Sequence, residues 1–139
     1  DPVGYSFMCG DEKVAVATDI GELKKDLFEA IRGSKTVLLE SNHDVNMLEI
    51  GKYPPQLKRR IRGKLGHLSN DDAGRAAEFL VRLGTERIIL GHLSEENNYP
   101  ELAYQAVRNE INFSPDKYQA DNLDIRVASR VKPSCLVEF

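Results

Sequence analysis

The chain has 139 residues, enough for one domain whose core needs neither a metal nor a disulfide for stability. Hydrophobic residues make up 41% of it and charged residues 29%, and no apolar run reaches the length of a membrane-spanning helix. Cys9 and Cys135 lie far apart without a CxxC spacing or a secretory signal, which favours a reducing cytoplasm. A net charge of −3 excludes nucleic-acid binding by bulk charge alone. We predict one cytoplasmic, non-membrane domain over residues 1–139.

The first third of the chain predicts a hairpin, a helix and a third strand. Residues 3–9 and 13–17 are short apolar runs on either side of a Gly-Asp loop, so we expect them to pair antiparallel. Leu23, Leu27 and Ile31 recur at helical spacing, and Gly33 stands where such a helix would end. Residues 36–39 form the next apolar run. Because Val3 already reads as strand, we expect that an upstream portion of the chain has been removed.

The remainder predicts helices alternating with two further strands. A short helix over 45–50 and a basic helix over 56–62 precede Ser69, which with Asp72 matches the helix-capping pattern. The capped helix ends at Gly84, a strand covers 87–90, and Pro100 opens another helix with Leu102 on its buried side. Residues 123–128 read as the last strand. The whole pattern is that of an α/β protein with a mixed sheet flanked by helices.

A four-residue motif occurs twice: Gly66-His67-Leu68-Ser69 returns as Gly91-His92-Leu93-Ser94. The remaining histidine of the chain, His43, lies upstream of both copies, in the polar segment after the third strand. We interpret this span as half of a reaction centre.

Asp19, Glu40 and His92 each follow an apolar strand by one or two residues. In α/β sheets the carboxyl ends of strands are where ligand and catalytic groups gather, so these three side chains are expected to share a site. The simpler alternative is that each is an ordinary loop or capping residue.

Two kinds of chemistry suit these side chains. Asp19 and His92 are of the types that bind Zn²⁺ or Mn²⁺, but two ligands are too few for a tight site. Glu40 and His67 suit a carboxylate orienting an imidazole that donates a proton. His43 and Asp44 are open to a structural interpretation, as caps of the turn after the third strand.

Five cations fall within seven positions: Lys58, Arg59, Arg60, Arg62 and Lys64. They would meet several phosphates if they faced one way. A solvated helix face is the alternative interpretation.

An ordered series of motifs resembles the YycJ-like (WalJ) branch of metallo-β-lactamase-fold hydrolases, and more distantly ribonuclease Z. The resemblance runs from the start of the chain to about Val107. Its motifs are Thr18-Asp19-Ile20-Gly21, Leu39-Glu40-Ser41-Asn42-His43-Asp44, Gly51-Lys52-Tyr53-Pro54, Gly66-His67-Leu68-Ser69-Asn70 and Leu90-Gly91-His92-Leu93-Ser94-Glu95-Glu96-Asn97-Asn98.

The resemblance implies the C-terminal half of an αββα sandwich with two divalent ions, zinc or manganese, in the intact parent. By position Asp19 matches the bridging aspartate and His92 the final histidine ligand. His67 with Glu40 matches the proton-transfer pair. Asn42, His43 and Asp44 match loop residues at the mouth, supporting the site or contacting substrate. The basic run from Lys58 would suit a phosphate backbone.

The resemblance also sets expectations for partners and activity. The branch contains nucleases and phosphodiesterases, so DNA or RNA is the expected substrate of the parent. The His-x-His-x-Asp-His motif of the family does not occur in these 139 residues, so we expect this chain alone to be inactive, whether or not it binds metal. A half-sandwich would expose one sheet face and should self-associate, as a homodimer or in another self-associated form. The alternative is a stand-alone binding or self-assembly module whose histidines are structural.

Overall fold

A computed structural model describes residues 3–115 and 120–134 of the chain. Cys135, named above, lies outside the described residues. Five strands and five α-helices follow in the order β1 (Tyr5–Cys9), β2 (Glu12–Ala17), α1 (Lys25–Ile31), β3 (Thr36–Glu40), α2 (Val45–Ile50), α3 (Pro55–Ile61), α4 (Asn70–Arg82), β4 (Arg87–Gly91), α5 (Pro100–Asn112) and β5 (Asp124–Val127). None of the helices in these ranges is long and apolar enough to cross a membrane.

The strands form one mixed sheet in the order β1-β2-β3-β4-β5. β1 and β2 pair antiparallel as the predicted hairpin, and the other three pairings are parallel. Parallel neighbours need crossover connections, which the helices between the strands supply. The predicted α/β class with a mixed sheet is confirmed.

One face of the sheet packs against helices. Val37 and Leu39 of β3 are fully buried there, because alternate residues of a strand point to the same side. Helices α1, α4 and α5 supply the opposing apolar residues, for example Leu80 and Val107. This layer of sheet and helices contains the core of the described residues.

The opposite face of the sheet is apolar and partly open. On β2, β3 and β4 it presents Val14, Val16, Leu38 and Ile89, which are all partly exposed and outside the core cluster. Tyr5 of β1 lies opposite Val16 in the hairpin and stays 56% exposed, so the apolar surface continues to the sheet edge.

Several predicted boundaries shift by one or two residues. Glu40 is the last residue of β3 rather than a loop residue, because it pairs with Gly91 in the parallel ladder. Helix α1 begins only at Lys25, so Leu23 packs on the core from the preceding loop. Leu102 is 40% exposed rather than buried, since it lies about 100° around α5 from the fully buried Ala103.

The predicted caps hold at both long helices. Ser69 precedes α4, and its Oγ accepts a hydrogen bond from the Asp72 N–H at 3.1 Å. Pro100 occupies the first turn of α5, where its missing N–H is no loss. These local signals therefore set where both helices start.

Candidate metal centre

The strand register explains why three polar side chains converge. Ala17 pairs with Leu39, and Glu40 pairs with Gly91, so β2, β3 and β4 end almost level. Asp19 and His92 therefore lie on either side of Glu40 at the carboxyl edge of the sheet. The structure brings together the three residues that the strand-end argument placed in one site.

The fourth side chain, His67, reaches this edge from the loop between α3 and α4. Gly21 and Gly66 permit that approach: a Cβ on Gly21 would lie 2.5 Å from the Gly66 nitrogen, and one on Gly66 would lie 2.0 Å from the Ile61 oxygen. The His67 N–H donates to the same Ile61 oxygen at 2.8 Å. Two close backbone contacts thus hold His67 beside the loop that carries Asp19.

Glu40 is the centre of the arrangement. Its side chain is fully buried, and one oxygen, Oε1, lies 2.7 Å from Nδ1 of His67 and 2.6 Å from Nδ1 of His92. The other oxygen, Oε2, accepts the Ile20 N–H at 2.6 Å. An ionised carboxylate can only accept, so Nδ1 of each ring is the donor in these two hydrogen bonds, and Nε2 is the ring nitrogen that Glu40 does not engage. Sequence reasoning paired Glu40 with His67 alone, whereas in the fold Glu40 contacts both histidines.

Asp19 completes a cluster of three groups that suit a metal ion. Its Oδ1 lies 4.0 Å from His67 Nδ1 and 3.8 Å from His92 Nδ1. One ligand atom from each of Asp19, His67 and His92 lies within 4.8 Å of the others. The imidazole rings stand 5.1 Å apart at 62°, and all three side chains reach solvent.

Two members of the cluster have unusual backbone. Asp19 has φ of 59° and His92 has φ of 56°, and these are the only non-glycine residues with positive φ in the described ranges. Such a conformation is costly for a side-chain-bearing residue and concentrates at functional sites. Asp19 follows the end of β2 by two residues and His92 follows the end of β4 by one, so both unusual conformations lie where the chain leaves a strand.

The donor set fits a divalent metal. A carboxylate and two imidazoles are ligands of zinc and of manganese, and a buried carboxylate on the far nitrogen is how metal-binding histidines are commonly oriented. Asp19, His67 and His92 can therefore contribute ligands, with Glu40 fixing both rings. Three groups leave coordination positions for ligands from elsewhere.

The polar segment after β3 lies inside the fold. Asn42 donates from Nδ2 to the His92 carbonyl at 2.9 Å, and Asp44 caps α2 by accepting the Met47 N–H at 2.8 Å. His43 is 2% exposed, and its backbone oxygen accepts the Asn70 N–H. Burial, with a smaller contribution from nearby His67, lowers the pKa of His43 to about 4. His43 is therefore neutral near pH 7.

A buried amide network was not foreseen from the sequence. Asn98 donates from Nδ2 to the Ser41 carbonyl at 2.9 Å and to the Asn42 carbonyl at 3.0 Å. Its Oδ1 accepts from Asn70 Nδ2 at 2.9 Å, and Ser41 Oγ donates to Asn70 Oδ1 at 2.7 Å. The network joins the loops that carry Glu40, His67 and His92. Its signal in the sequence was the asparagine that follows each Gly-His-Leu-Ser copy by one or more residues.

The five cations do not form one outward-facing group. Lys58 Nζ donates to the Glu49 carbonyl, and Arg62 Nη1 pairs with the Glu49 carboxylate at 2.9 Å. Lys64 Nζ lies 3.4 Å from Oε2 of Glu22. Arg59 and Arg60 are exposed and make no ion pair with any residue of the described ranges. The run is thus divided between paired cations and two free ones.

No family model matches the chain. The exodeoxyribonuclease YycJ of Bacillus anthracis is 40% identical over 107 residues, which are 77% of this chain and 40% of that protein. The exodeoxyribonuclease WalJ of Streptococcus pneumoniae serotype 2 (strain D39) is 39% identical over 110 residues, 79% of this chain and 41% of that protein. The crystal structure of a diphosphatase from the PhnP family aligns with 89% of this chain and 34% of its own, with TM-score 0.46 and 17% identity.

The five-stranded mixed sheet with its helices is the architecture that the sequence resemblance to metallo-β-lactamase-fold hydrolases implied. Over 77–79% of its length the chain is similar to the YycJ and WalJ exodeoxyribonucleases. It spans about 40% of the length of the curated relatives that it matches.

Proposed function

We propose that the chain supplies one half of the reaction centre of a metal-dependent phosphodiesterase that acts on nucleic acid. The observation that carries the proposal is the sharing of buried Glu40 by two imidazoles beside the Asp19 carboxylate. The relatives are exodeoxyribonucleases by name, which favours DNA over RNA as the substrate.

The four side chains take different roles in this proposal. Asp19 and His92 act as metal ligands, and they are the two non-glycine residues with positive φ in the described ranges. His67 donates a proton to the leaving oxygen, with Glu40 orienting its ring. Glu40 also fixes His92, so one buried carboxylate would set both the ligand and the acid.

Two divalent ions, zinc or manganese, would complete the centre in an intact enzyme. Bound there, they would polarise the phosphodiester and lower the pKa of a coordinated water. The 139 residues contain no His-x-His-x-Asp-His, so we expect a polypeptide of these residues alone to be inactive. The side chains of Asn42, His43 and Asp44 support the site from inside the fold.

Arg59 and Arg60 are the cations that we propose for contact with the phosphate backbone. They are exposed on α3, next to the loop that carries His67, and no acidic group of the described residues holds them. Lys58, Arg62 and Lys64 would have to leave Glu49 or Glu22 to contribute.

The test separates the proposed roles in an enzyme that contains this chain together with a His-x-His-x-Asp-His segment. We expect His67→Ala to lower turnover on labelled DNA by orders of magnitude while the bound metal, measured by elemental analysis, is retained. Asp19→Ala and His92→Ala should lose both turnover and metal. Unchanged turnover in His67→Ala would remove that residue from the mechanism.

A matched control is Asp11→Asn, which removes an exposed carboxylate in the loop between β1 and β2, at the opposite edge of the sheet from the cluster. It should retain metal and turnover. If all the histidine variants behaved like this control, the alternative of a binding module with structural histidines would be correct instead.

We also propose that the chain alone self-associates, as a homodimer, through the open sheet face defined by Tyr5, Val14, Val16, Leu38 and Ile89. This surface is apolar and contiguous across four strands. Exposed apolar patches of this kind are normally covered by a partner, and a second copy offers a matching one.

A further inference from the structure

The two Gly-His-Leu-Ser copies share a local structure that the proposed roles of His67 and His92 do not explain. Ser69 Oγ accepts the N–H three residues later, from Asp72, and Ser94 Oγ accepts the N–H three residues later, from Asn97. Leu68 and Leu93 are both buried. Each copy therefore forms the same local turn, with its histidine placed on Glu40 Oε1.

One residue joins the two copies directly. The Asn42 N–H donates to the Leu68 carbonyl at 2.9 Å, and the Asn42 carbonyl accepts the Ser94 N–H at 2.7 Å. Its side chain adds a third bond, from Nδ2 to the His92 carbonyl at 2.9 Å. Asn42, two residues after Glu40, therefore lies between the two motif copies and is hydrogen-bonded to both.

The hydrogen bond from the Asn42 side chain reaches only the second motif copy, the one that contains His92. His92 is held at φ of 56°, where a residue with a side chain is strained, and its carbonyl is the group that Asn42 fixes. His67 has no positive φ and no bond from the Asn42 side chain. The side chain of Asn42 therefore acts on His92 selectively, while its backbone acts on both loops.

We infer that Asn42 is a positioning residue, whose side-chain amide holds His92 in its strained conformation and so presents that ring to Glu40 and to a metal ion. The metal-binding part of this inference rests on the proposed function. Asn98 supports the same residue from behind, because its Nδ2 donates to the Asn42 carbonyl at 3.0 Å.

The test uses the full 139-residue chain and observes the two imidazoles separately by ¹⁵N NMR. In Asn42→Ala, the His92 ring should lose its fixed Nδ1–H tautomer, whereas His67 keeps it. Titration with Zn²⁺ should require about tenfold more metal to shift the His92 signals. The matched control is Asn109→Ala, an exposed asparagine on α5, which should leave both rings unchanged.

A purely structural role gives a different result, in which Asn42→Ala lowers the melting temperature but leaves His92 as in the unchanged protein. That result would overturn the inference. Asn42→Asp, which keeps the shape but removes the amide donor, should reproduce the selective change at His92.

The unchanged protein provides a measurement that does not depend on any variant folding. The Asn42 side-chain amide should shift with Zn²⁺ at the same midpoint as the His92 ring, and the Asn109 amide should not. An Asn42 amide that stays still while His92 shifts would contradict the inference alone. If Zn²⁺ shifted neither His92 nor His67, the same titration of the enzyme that also contains the His-x-His-x-Asp-His segment would be decisive, and no shift there would show that the proposed metal function fails as well.

Discussion

Glu40 is a buried carboxylate with three hydrogen-bond donors around it, one backbone N–H and two imidazole Nδ1–H groups. No neutral isostere can satisfy the same set, because an amide has one oxygen and one NH₂ group. Whichever way Gln were placed at position 40, its NH₂ would face a donor. The site therefore depends on charge at this residue and not only on shape.

We predict that Glu40→Gln lowers the free energy of unfolding by about 1–3 kcal/mol, because the NH₂ group of Gln would face another buried hydrogen-bond donor. At least one of His67 and His92 should also lose its fixed Nδ1–H tautomer, and metal affinity should fall about 10- to 100-fold. Urea denaturation, ¹⁵N NMR of the imidazoles and Zn²⁺ titration measure these effects. Glu49→Gln is the control, because Glu49 is exposed and pairs only on the surface. Two unchanged Nδ1–H signals in Glu40→Gln would contradict the arrangement.

His43 predicts a pH dependence of stability. Its pKa is about 4 in the folded chain and near 6.5 when exposed, because burial disfavours the charged ring. Between these values the unfolded chain binds more protons, so the free energy of unfolding falls as the pH falls through this window. The contribution of His43 should decrease by about 2 kcal/mol from pH 8 to pH 5.

The measurement compares urea denaturation of the unchanged chain with that of His43→Gln at pH 8 and pH 5. The variant should lose less stability over that interval, by the stated amount, because it has no imidazole to protonate. All other ionisable side chains are the same in both proteins, so the comparison isolates the contribution of His43. Equal losses would show that His43 is not the buried neutral group found here.

At the scale of elements, α4 tests how far local sequence signals determine structure. Ser69 accepts the Asp72 N–H at the start of this helix, and Asp71 and Asp72 lie in its first turn. We predict that Ser69→Ala lowers the free energy of unfolding by about 1 kcal/mol. Ser134→Ala, at an exposed serine outside any helix, is the control for urea denaturation and should change little. Equal stability of both variants would mean that the cap contributes nothing.

Strand and helix positions could be predicted because their signals are local. The hairpin, the capped α4 and the proline-initiated α5 each follow from a few neighbouring residues. The convergence of Asp19, Glu40 and His92 also followed, since parallel strands of similar length end at one edge.

The contact of Glu40 with both histidines could not be predicted in the same way. It depends on how closely two loops approach, which the chain fixes through Gly21 and Gly66 rather than through periodicity. The network around Asn98 and the pairing of Lys58 and Arg62 with Glu49 depend equally on tertiary distance. A run of cations in sequence therefore did not translate into one free basic surface.

At the scale of the whole molecule, the sheet has one face covered by helices and one apolar face that remains partly open. Phe7 lies on the open side, where its ring stacks on Tyr5 at 6.3 Å between centroids and stays 59% exposed. Burial of such aromatic side chains drives association, while a charge in the same place opposes it. The open face thus predicts the association state of the chain.

We predict that the 139-residue chain is dimeric at micromolar concentration and that Phe7→Lys is monomeric, since a buried unpaired ammonium would cost more than the dimer gains. Light scattering and sedimentation measure both masses. Phe113→Lys is the matched control, because Phe113 is also exposed but lies at the end of α5, away from the open face. It should remain a dimer. A clean monomer for the unchanged chain would contradict self-association, and a dimer unaffected by Phe7→Lys would place the interface on another surface.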